Sequence, residues 1–202
     1  MQDASLDLSH NNFSGSIPEA FFGSQLPSAA ETAALLAFFL KGLPGGNGVS
    51  GWLSLALGEL TRLTSLRISH HTLSGSLPAS LSLLSHLVSL DLASNRHLSG
   101  AIPPALYALP SGAEVRLGHN ALSGSIPDSV FSPCLALLDL SHNQLSSPIP
   151  PSLQGRSKNP SLLPLSHLDL SYNLLSGSIP PHLASSLSSL AHLSLRSNLL
   201  RW

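Results

Sequence analysis

The chain has 202 residues, 43% hydrophobic and only 9% charged, with a formal net charge of −1 and a single cysteine, Cys134. Charges this few and this balanced exclude the basic footprint of a nucleic-acid binder and the polybasic surface that clings to anionic lipid. One cysteine excludes an internal disulfide framework and a cysteine-built zinc site. The start, MQDASLDLSH, carries no basic segment followed by an apolar run, so no secretory signal is visible. The longest apolar stretch, Ala33–Leu40, is eight residues, far short of the roughly 20 that span a bilayer.

Residues 6–18 read LDLSHNNFSGSIP. Asn12-Phe13-Ser14 within it is a usable glycosylation sequon, whereas Asn159 is followed by Pro160 and is excluded. The next stretch, PSAAETAALLAFFLKGLPGGNG (27–48), breaks the pattern. Ser28 and Glu31 form a capping box and Gly42 follows Lys41 where a left-handed C-cap belongs, which predicts a helix over 29–41. Leu35, Leu36, Phe38, Phe39 and Leu40 cover more than one of its faces, so it needs burial on several sides. GLPGGNGVSGW (42–52) reads as a loop by composition.

The opening phrase then returns: LRISHHTLSGSLP (66–78), LDLASNRHLSGAIP (90–103), VRLGHNALSGSIP (115–127), LDLSHNQLSSPIP (138–150), LDLSYNLLSGSIP (168–180) and LSLRSNLLRW (193–202). Its leading positions, Leu6, Leu66, Leu90, Val115, Leu138, Leu168 and Leu193, stand 60, 24, 25, 23, 30 and 25 residues apart. A base period near 24 emerges, with about 36 residues inserted after the first copy and about six in the fifth interval. The smaller expansion, QGRSKNP, holds the local basic pair Arg156 and Lys158 and reads as an outer loop.

Each phrase has a mechanical meaning. L-x-L is a short strand with its two apolar residues inward and their neighbours outward. One coil cannot bury its own apolar side, so coils stack and the strands form a parallel sheet over a shared core. The recurring Asn stands where the chain leaves the strand, and its amide can satisfy backbone groups of its own and adjacent coils. That column is Asn11, His71, Asn95, Asn120, Asn143, Asn173 and Asn198, with His71 the one departure. Gly in L-S-G allows a tight bend, and Pro holds the return path extended.

These phrases resemble plant-type leucine-rich repeats, L-x-x-L-x-x-L-x-L-S-x-N-x-L-S-G-x-I-P, over residues 1–22 and 53–202. The resemblance implies a leucine-rich repeat solenoid: a curved right-handed coil with a parallel β-sheet on the concave face, an irregular or short 3-10 convex side and, here, one inserted α-helix. It also implies a binding platform of the receptor-like kinase or receptor-like protein ectodomain kind. ETAALLAFFLK (31–41) is similar to the helix of that family's N-terminal cap, and NGVS (47–50) to the segment after it, with Ser50 where cysteine stands in the family. The expected organisation is an isolated coil (1–22), a helical insertion (23–52) and six further coils (53–202). The insertion is read as a displaced cap shielding the coil that begins near Leu57; the rival is an island looped out of one continuous solenoid. Stacking of coil 1 on coil 2 would overturn the cap reading.

No catalytic constellation is expected. Gly46-Asn-Gly48-Val-Ser-Gly51 matches G-x-G-x-x-G but lacks the preceding strand and following helix of a nucleotide site. Ser, His and Asp fall on a flat sheet face that implies no pocket for a triad. His10, His70, His119 and His142 share one column and His167 and His192 another, giving either an inert solvated face or one that charges near pH 6.5. No metal site or cofactor is expected. Cys134 reads as a small buried hydrophobe.

The candidate ligand-binding residues on the concave face are Arg67, His70, Glu114, Arg116, His119, His142, His167, Asp169, Tyr172, His192 and Arg196. Asp91, Asp139 and Asp169 belong to the L-D-L pattern and are expected to serve the sheet as much as a partner. Six strands give a footprint of roughly 25 × 13 Å, below the ~800 Å² per partner of a stable protein interface. The expected partner is a protein or peptide ligand; neighbouring repeats or a second leucine-rich repeat protein are further possibilities, and no nucleic acid or membrane contact by this segment is expected. An intracellular scaffold and a secreted inhibitor of the polygalacturonase-inhibitor kind are the alternatives. The final coil, ending LRSNLLRW, offers Leu199, Leu200 and Trp202 to a neighbour and reads as a truncation; the compartment is left open.

Overall fold

A computed structural model describes residues 4–7, 14–16, 48–104, 106, 109–110, 112–127, 135–150, 165–179 and 190–201. The expected helix over 29–41, Asn11, Asn12, the QGRSKNP expansion and Cys134 lie outside the described residues.

The strands among the described residues are β1 (Ala4–Asp7), β2 (Ser14–Ser16), β3 (Gly48–Trp52), β4 (Leu63–Arg67), β5 (Thr72–Ser76), β6 (Ser89–Asp91), β7 (His97–Gly100), β8 (Glu114–Arg116), β9 (Ala121–Gly124), β10 (Leu137–Asp139), β11 (Gln144–Pro148), β12 (His167–Asp169), β13 (Leu174–Ser176) and β14 (His192–Ser194). They build two seven-stranded sheets, ordered β1-β4-β6-β8-β10-β12-β14 and β13-β11-β9-β7-β5-β3-β2. All pairings are parallel. The first sheet is made of the L-x-L phrases and is the concave sheet of the solenoid.

The second sheet was not foreseen. Its strands come from the N-x-L-S-G half of each phrase, which the sequence suggested was turn and bend. Leu73, Leu98, Leu122, Leu145 and Leu175 are fully buried there, so each coil plugs the core from a second side. The Gly of L-S-G ends each rung in the left-handed region, with φ of +77 at Gly75, +81 at Gly100, +80 at Gly124 and +79 at Gly177. Ser147 stands in that column at φ +80, a conformation that costs an L-residue about 1–2 kcal/mol.

Residues 48–52 correct the loop reading. They form β3, lying between β2 and β5. The reason is visible once the phrase is aligned: Asn47-Gly-Val-Ser-Gly-Trp-Leu53 repeats N-x-L-S-G-x-I without an L-x-L before it. Val49 enters the core with no exposed surface, and Gly51 adopts φ +93 like the other glycines of its column. The insertion therefore returns to the solenoid as half a coil.

Coil 1 is also less isolated than its sequence position suggested. Leu6 and Asp7 of β1 pair with Leu66 and Arg67 of β4, so coil 1 stacks directly on coil 2 in the concave sheet. This is the arrangement under which the cap reading falls.

Behind the sheets, Leu66, Leu90, Val115, Leu138 and Leu168 form one apolar column and Ile68, Leu92, Leu117, Leu140 and Leu170 a second, all within 1% of full burial. Full burial of such a side chain contributes about 1.5–3 kcal/mol. The far side carries 3-10 turns at Leu55–Glu59 and Ala79–Leu83. The first is capped by Ser54, whose hydroxyl accepts from the N–H of Ala56 at 3.2 Å.

Candidate ligand-binding face

The outward residues of the concave sheet are held by a ladder of buried amides. Asn143 shows the pattern: Nδ2 donates to the carbonyls of Leu117 (3.0 Å) in the preceding coil and Leu140 (3.1 Å) in its own, and Oδ1 accepts from the N–H of Leu122 at 2.9 Å. Asn173 repeats it with Leu140, Leu170 and Leu145, and Asn95 with Ile68, Leu92 and Leu73. Asn120 gives its amide to Leu92 and Leu117 but accepts from the backbone of Asn95. Asn198 closes the series on Leu170, Leu195 and Leu175. His71, the departure from the column, fills the acceptor role with its ring: Nδ1 lies 3.2 Å from the N–H of Val49.

The residue before each ladder position has an unusual backbone. His70, Ser94, His119, His142, Tyr172 and Ser197 all have φ between +51 and +62, where side chains other than Asn, Asp and His rarely sit. The first five are fastened to the next coil. The N–H of His70 donates to Ala93 O, Ser94 to Gly118 O, His119 to Ser141 O, His142 to Ser171 O and Tyr172 to Arg196 O, all at 2.9 Å. The repeat geometry fixes these side chains in one register.

That register stacks the rings. The His119 and His142 centroids are 4.0 Å apart with planes 13° from parallel, and His142 and Tyr172 are 4.1 Å apart at 18°. The sequence predicted the shared His column at strand spacing, ~4.8 Å; the rings lean closer than their backbones. Coil 7 has Ser197 in this column, and Arg196 instead covers Tyr172 with its guanidinium carbon 4.7 Å from the ring centroid. Partial burial, then the neighbouring His119 and Arg196, lower the His142 pKa below the ordinary imidazole value; Asp169 and Asp139 pull the other way. The second pair, His167 and His192, is in strand register with ring centroids 5.9 Å apart, and Ser166 Oγ lies 2.9 Å from His167 Nδ1.

The column between the two inward positions carries the charges. Reading up the coils it is Asp7, Arg67, Asp91, Arg116, Asp139 and Asp169. Arg67 lies 3.9 Å from Asp7, and Arg116 donates to Glu114 at 2.7 Å. Both pairs lie at the solvent boundary and contribute about 0–1 kcal/mol each. Asp91, Asp139 and Asp169 each use Oδ1 to accept the N–H two residues on, at 3.1, 2.9 and 2.9 Å, which holds the turn after each strand. Sequence reasoning missed Gly118: a Cβ there would stand 2.8 Å from Asp139 Oδ2 and 3.0 Å from Ser141 Oγ. The Gly in a column otherwise occupied by Ser, Ala and Arg was the available signal.

All eleven candidate residues thus fall on one sheet and its turn edge. Glu114, Arg116, His142 and Asp169 are half-buried there, and the other seven are exposed. Among the described residues no group of three or more His, Cys, Asp or Glu side chains converges as metal ligands.

The Leucine Rich Repeat family model matches residues 4–24, 134–155 and 164–186. No curated protein sequence matches the chain. Among solved structures, the Arabidopsis receptor kinase HAESA, in complex with the peptide hormone IDA and the co-receptor SERK1, superposes with a TM-score of 0.72 at 32% identity, over 98% of this chain and 30% of that one. A TDR receptor superposes at 0.67 with 34% identity, over 78% of this chain and 26% of that one. A plant ice-binding protein reaches 0.59 with 28% identity, over 77% and 55%. The chain spans between about a quarter and just over half the length of these solved relatives.

Proposed function

Because the chain belongs to the leucine-rich repeat proteins, similar over most of its length to plant receptor-kinase ectodomains, we propose that it is a non-catalytic recognition module whose concave sheet binds an extended peptide. The observation that carries this reading is the match to HAESA along 98% of the chain, joined to a concave sheet whose outward side chains are ordered in fixed columns. Seven strands span six spacings, about 29 Å. An extended peptide rising about 3.3 Å per residue covers that length with about nine residues. A globular partner would ask for more area than the face offers. Among the described residues, Asp91, Asp139 and Asp169 hold turns and His119 and His142 stack, roles that suit a recognition face. The ice-binding relative shows that coil geometry alone does not fix a role.

The test is selection from a displayed library of twelve-residue peptides on the immobilised protein. Selected peptides are then titrated against wild type and a variant carrying Arg116→Ala, Tyr172→Ala and Arg196→Ala. A tenfold or larger loss of affinity in the folded variant supports the proposal. Peptides that bind both proteins equally, or a library that yields no binder, overturn it.

A further inference from the structure

His167 and His192 form a histidine pair of a different kind from His119 and His142. They open β12 and β14, are register partners on neighbouring strands, and are both exposed on the concave sheet. Their ring centroids are 5.9 Å apart with planes 25° from parallel. Ser166 decides which nitrogen of His167 carries the proton. Its Oγ lies 2.9 Å from the carbonyl oxygen of Ala136 and 2.9 Å from His167 Nδ1. A carbonyl brings no proton to such a contact and a hydroxyl brings one. Both contacts are hydrogen bonds only when Oγ–H donates to Ala136 O and Nδ1–H donates to Oγ. The neutral ring then keeps its lone pair on Nε2. A histidine tied down through its other nitrogen in this way is the usual arrangement around a metal ligand.

We infer that His167 and His192 form a two-histidine site for a divalent cation of the zinc or copper class, bound through Nε2 of His167 and a ring nitrogen of His192. Two Zn–N bonds of about 2.0–2.1 Å at the tetrahedral angle hold their nitrogens about 3.3 Å apart. Each ring centre stands a little over 1 Å behind its nitrogen, so two ligating rings have centres about 5.2 Å apart. The observed 5.9 Å closes to that value by a turn of the exposed His192 side chain, which makes no hydrogen bond among the described residues. Imidazole nitrogen suits zinc and copper, whereas calcium and magnesium take oxygen. Asp169, two residues along β12 from His167, adds negative charge beside the pair, and Arg196 is drawn off over the Tyr172 ring. Among the described residues no third His, Cys, Asp or Glu joins them as a ligand, which leaves coordination positions for water or for a carboxylate or imidazole lying on the face. His119 and His142 are poorer chelators. Their centres are 4.0 Å apart and His142 is stacked between His119 and Tyr172, so convergence on a metal would break the stack. The site goes beyond the peptide reading and does not depend on it.

The experiment titrates Zn²⁺ into the full chain labelled with ¹³C and ¹⁵N at histidine. Before metal is added, long-range ¹H–¹⁵N correlations should show His167 with its proton on Nδ1. Submillimolar Zn²⁺ should then shift the His167 and His192 rings together, saturating at one ion per chain, while His119 and His142 stay in place. Mg²⁺ should move none of them. His192→Ala should weaken binding at least tenfold, and His119→Ala should leave it unchanged. Ser166→Ala keeps both ligands but removes the acceptor of Nδ1–H; it should weaken binding by about tenfold and release the tautomer of His167. Shifts spread evenly over the histidines, a His167 proton on Nε2, or undiminished affinity in folded His192→Ala or Ser166→Ala overturns the site. Should either variant not fold, the tautomer and the distribution of shifts in the wild type decide alone.

Discussion

Asn143→Ala tests the amide ladder most directly. The side chain donates to three carbonyls, those of Leu117, Leu140 and Ser141, and receives one bond from the N–H of Leu122, all buried. Its removal does not strand the carbonyls: Leu117 O also accepts from Asn120 at 2.8 Å, and Leu140 O from Asn173 at 2.9 Å. The N–H of Leu122 loses the acceptor it has in Asn143, and a buried unsatisfied donor costs about 1–3 kcal/mol. Lost bonds to the carbonyls add about 0.5–1.5 kcal/mol each. The expected total is about 3 kcal/mol, which for a chain of this size lowers Tm by about 6–12 °C. Thermal and urea unfolding followed by circular dichroism would measure it. Asn198→Ala, where the same bonds are only part-buried, should cost less than half as much. Equal losses at the two positions, or a loss below about 0.5 kcal/mol at Asn143, would refute the argument that burial makes these amides matter.

Other substitutions probe the remaining columns. Ser147→Gly should stabilise by about 1 kcal/mol by relieving the left-handed φ, while Ser147→Ala gains nothing; equal melting temperatures for the glycine and alanine variants would count against strain there. Gly118→Ala should destabilise by about 1–3 kcal/mol through crowding of the Asp139 carboxylate, and the cost should shrink in an Asp139→Ala background, as a double-mutant cycle by urea unfolding would show. His142 should titrate by NMR below about 6.5, moving upward in Arg196→Ala. Because the folded state holds this proton less tightly than the unfolded chain, the contribution is present above about pH 6.5 and lost as the pH falls below it. His142→Gln should flatten that part of the stability profile, and identical slopes in the two proteins would dismiss the idea.

Much of this architecture could be read directly, because a solenoid writes its register into the chain. Leu66, Leu90, Val115, Leu138 and Leu168 sit in one column for the same reason that they recur every 24 residues or so. The Asn ladder and the shared His column followed from that alignment. What the alignment hid was conformation and side-chain lean. S-H-N does not announce that His119 and His142 have a left-handed backbone, nor that rings on neighbouring strands close to stacking contact. The second sheet escaped notice because L-S-G spells flexibility, while a parallel neighbour above and below turns the same residues into strand. Val49 was missed because its half-phrase lacks the L-x-L that marks a coil. Gly118 and Ser147 were legible as departures from their columns, yet only three-dimensional neighbours give each departure a sign.

The half-coil at β3 has a consequence for shape. In the language of crystals it is an edge dislocation: an extra layer enters the stack on one side and ends inside it. Coils 1 and 2 are one layer apart along β1 and β4, but two layers apart along β2 and β5. Planes around such a defect tilt toward the side with fewer layers, which here is the concave sheet. The half-coil thus puts a joint in the stack between β1 and β4 on one side and β2, β3 and β5 on the other, a wedge driven in from outside.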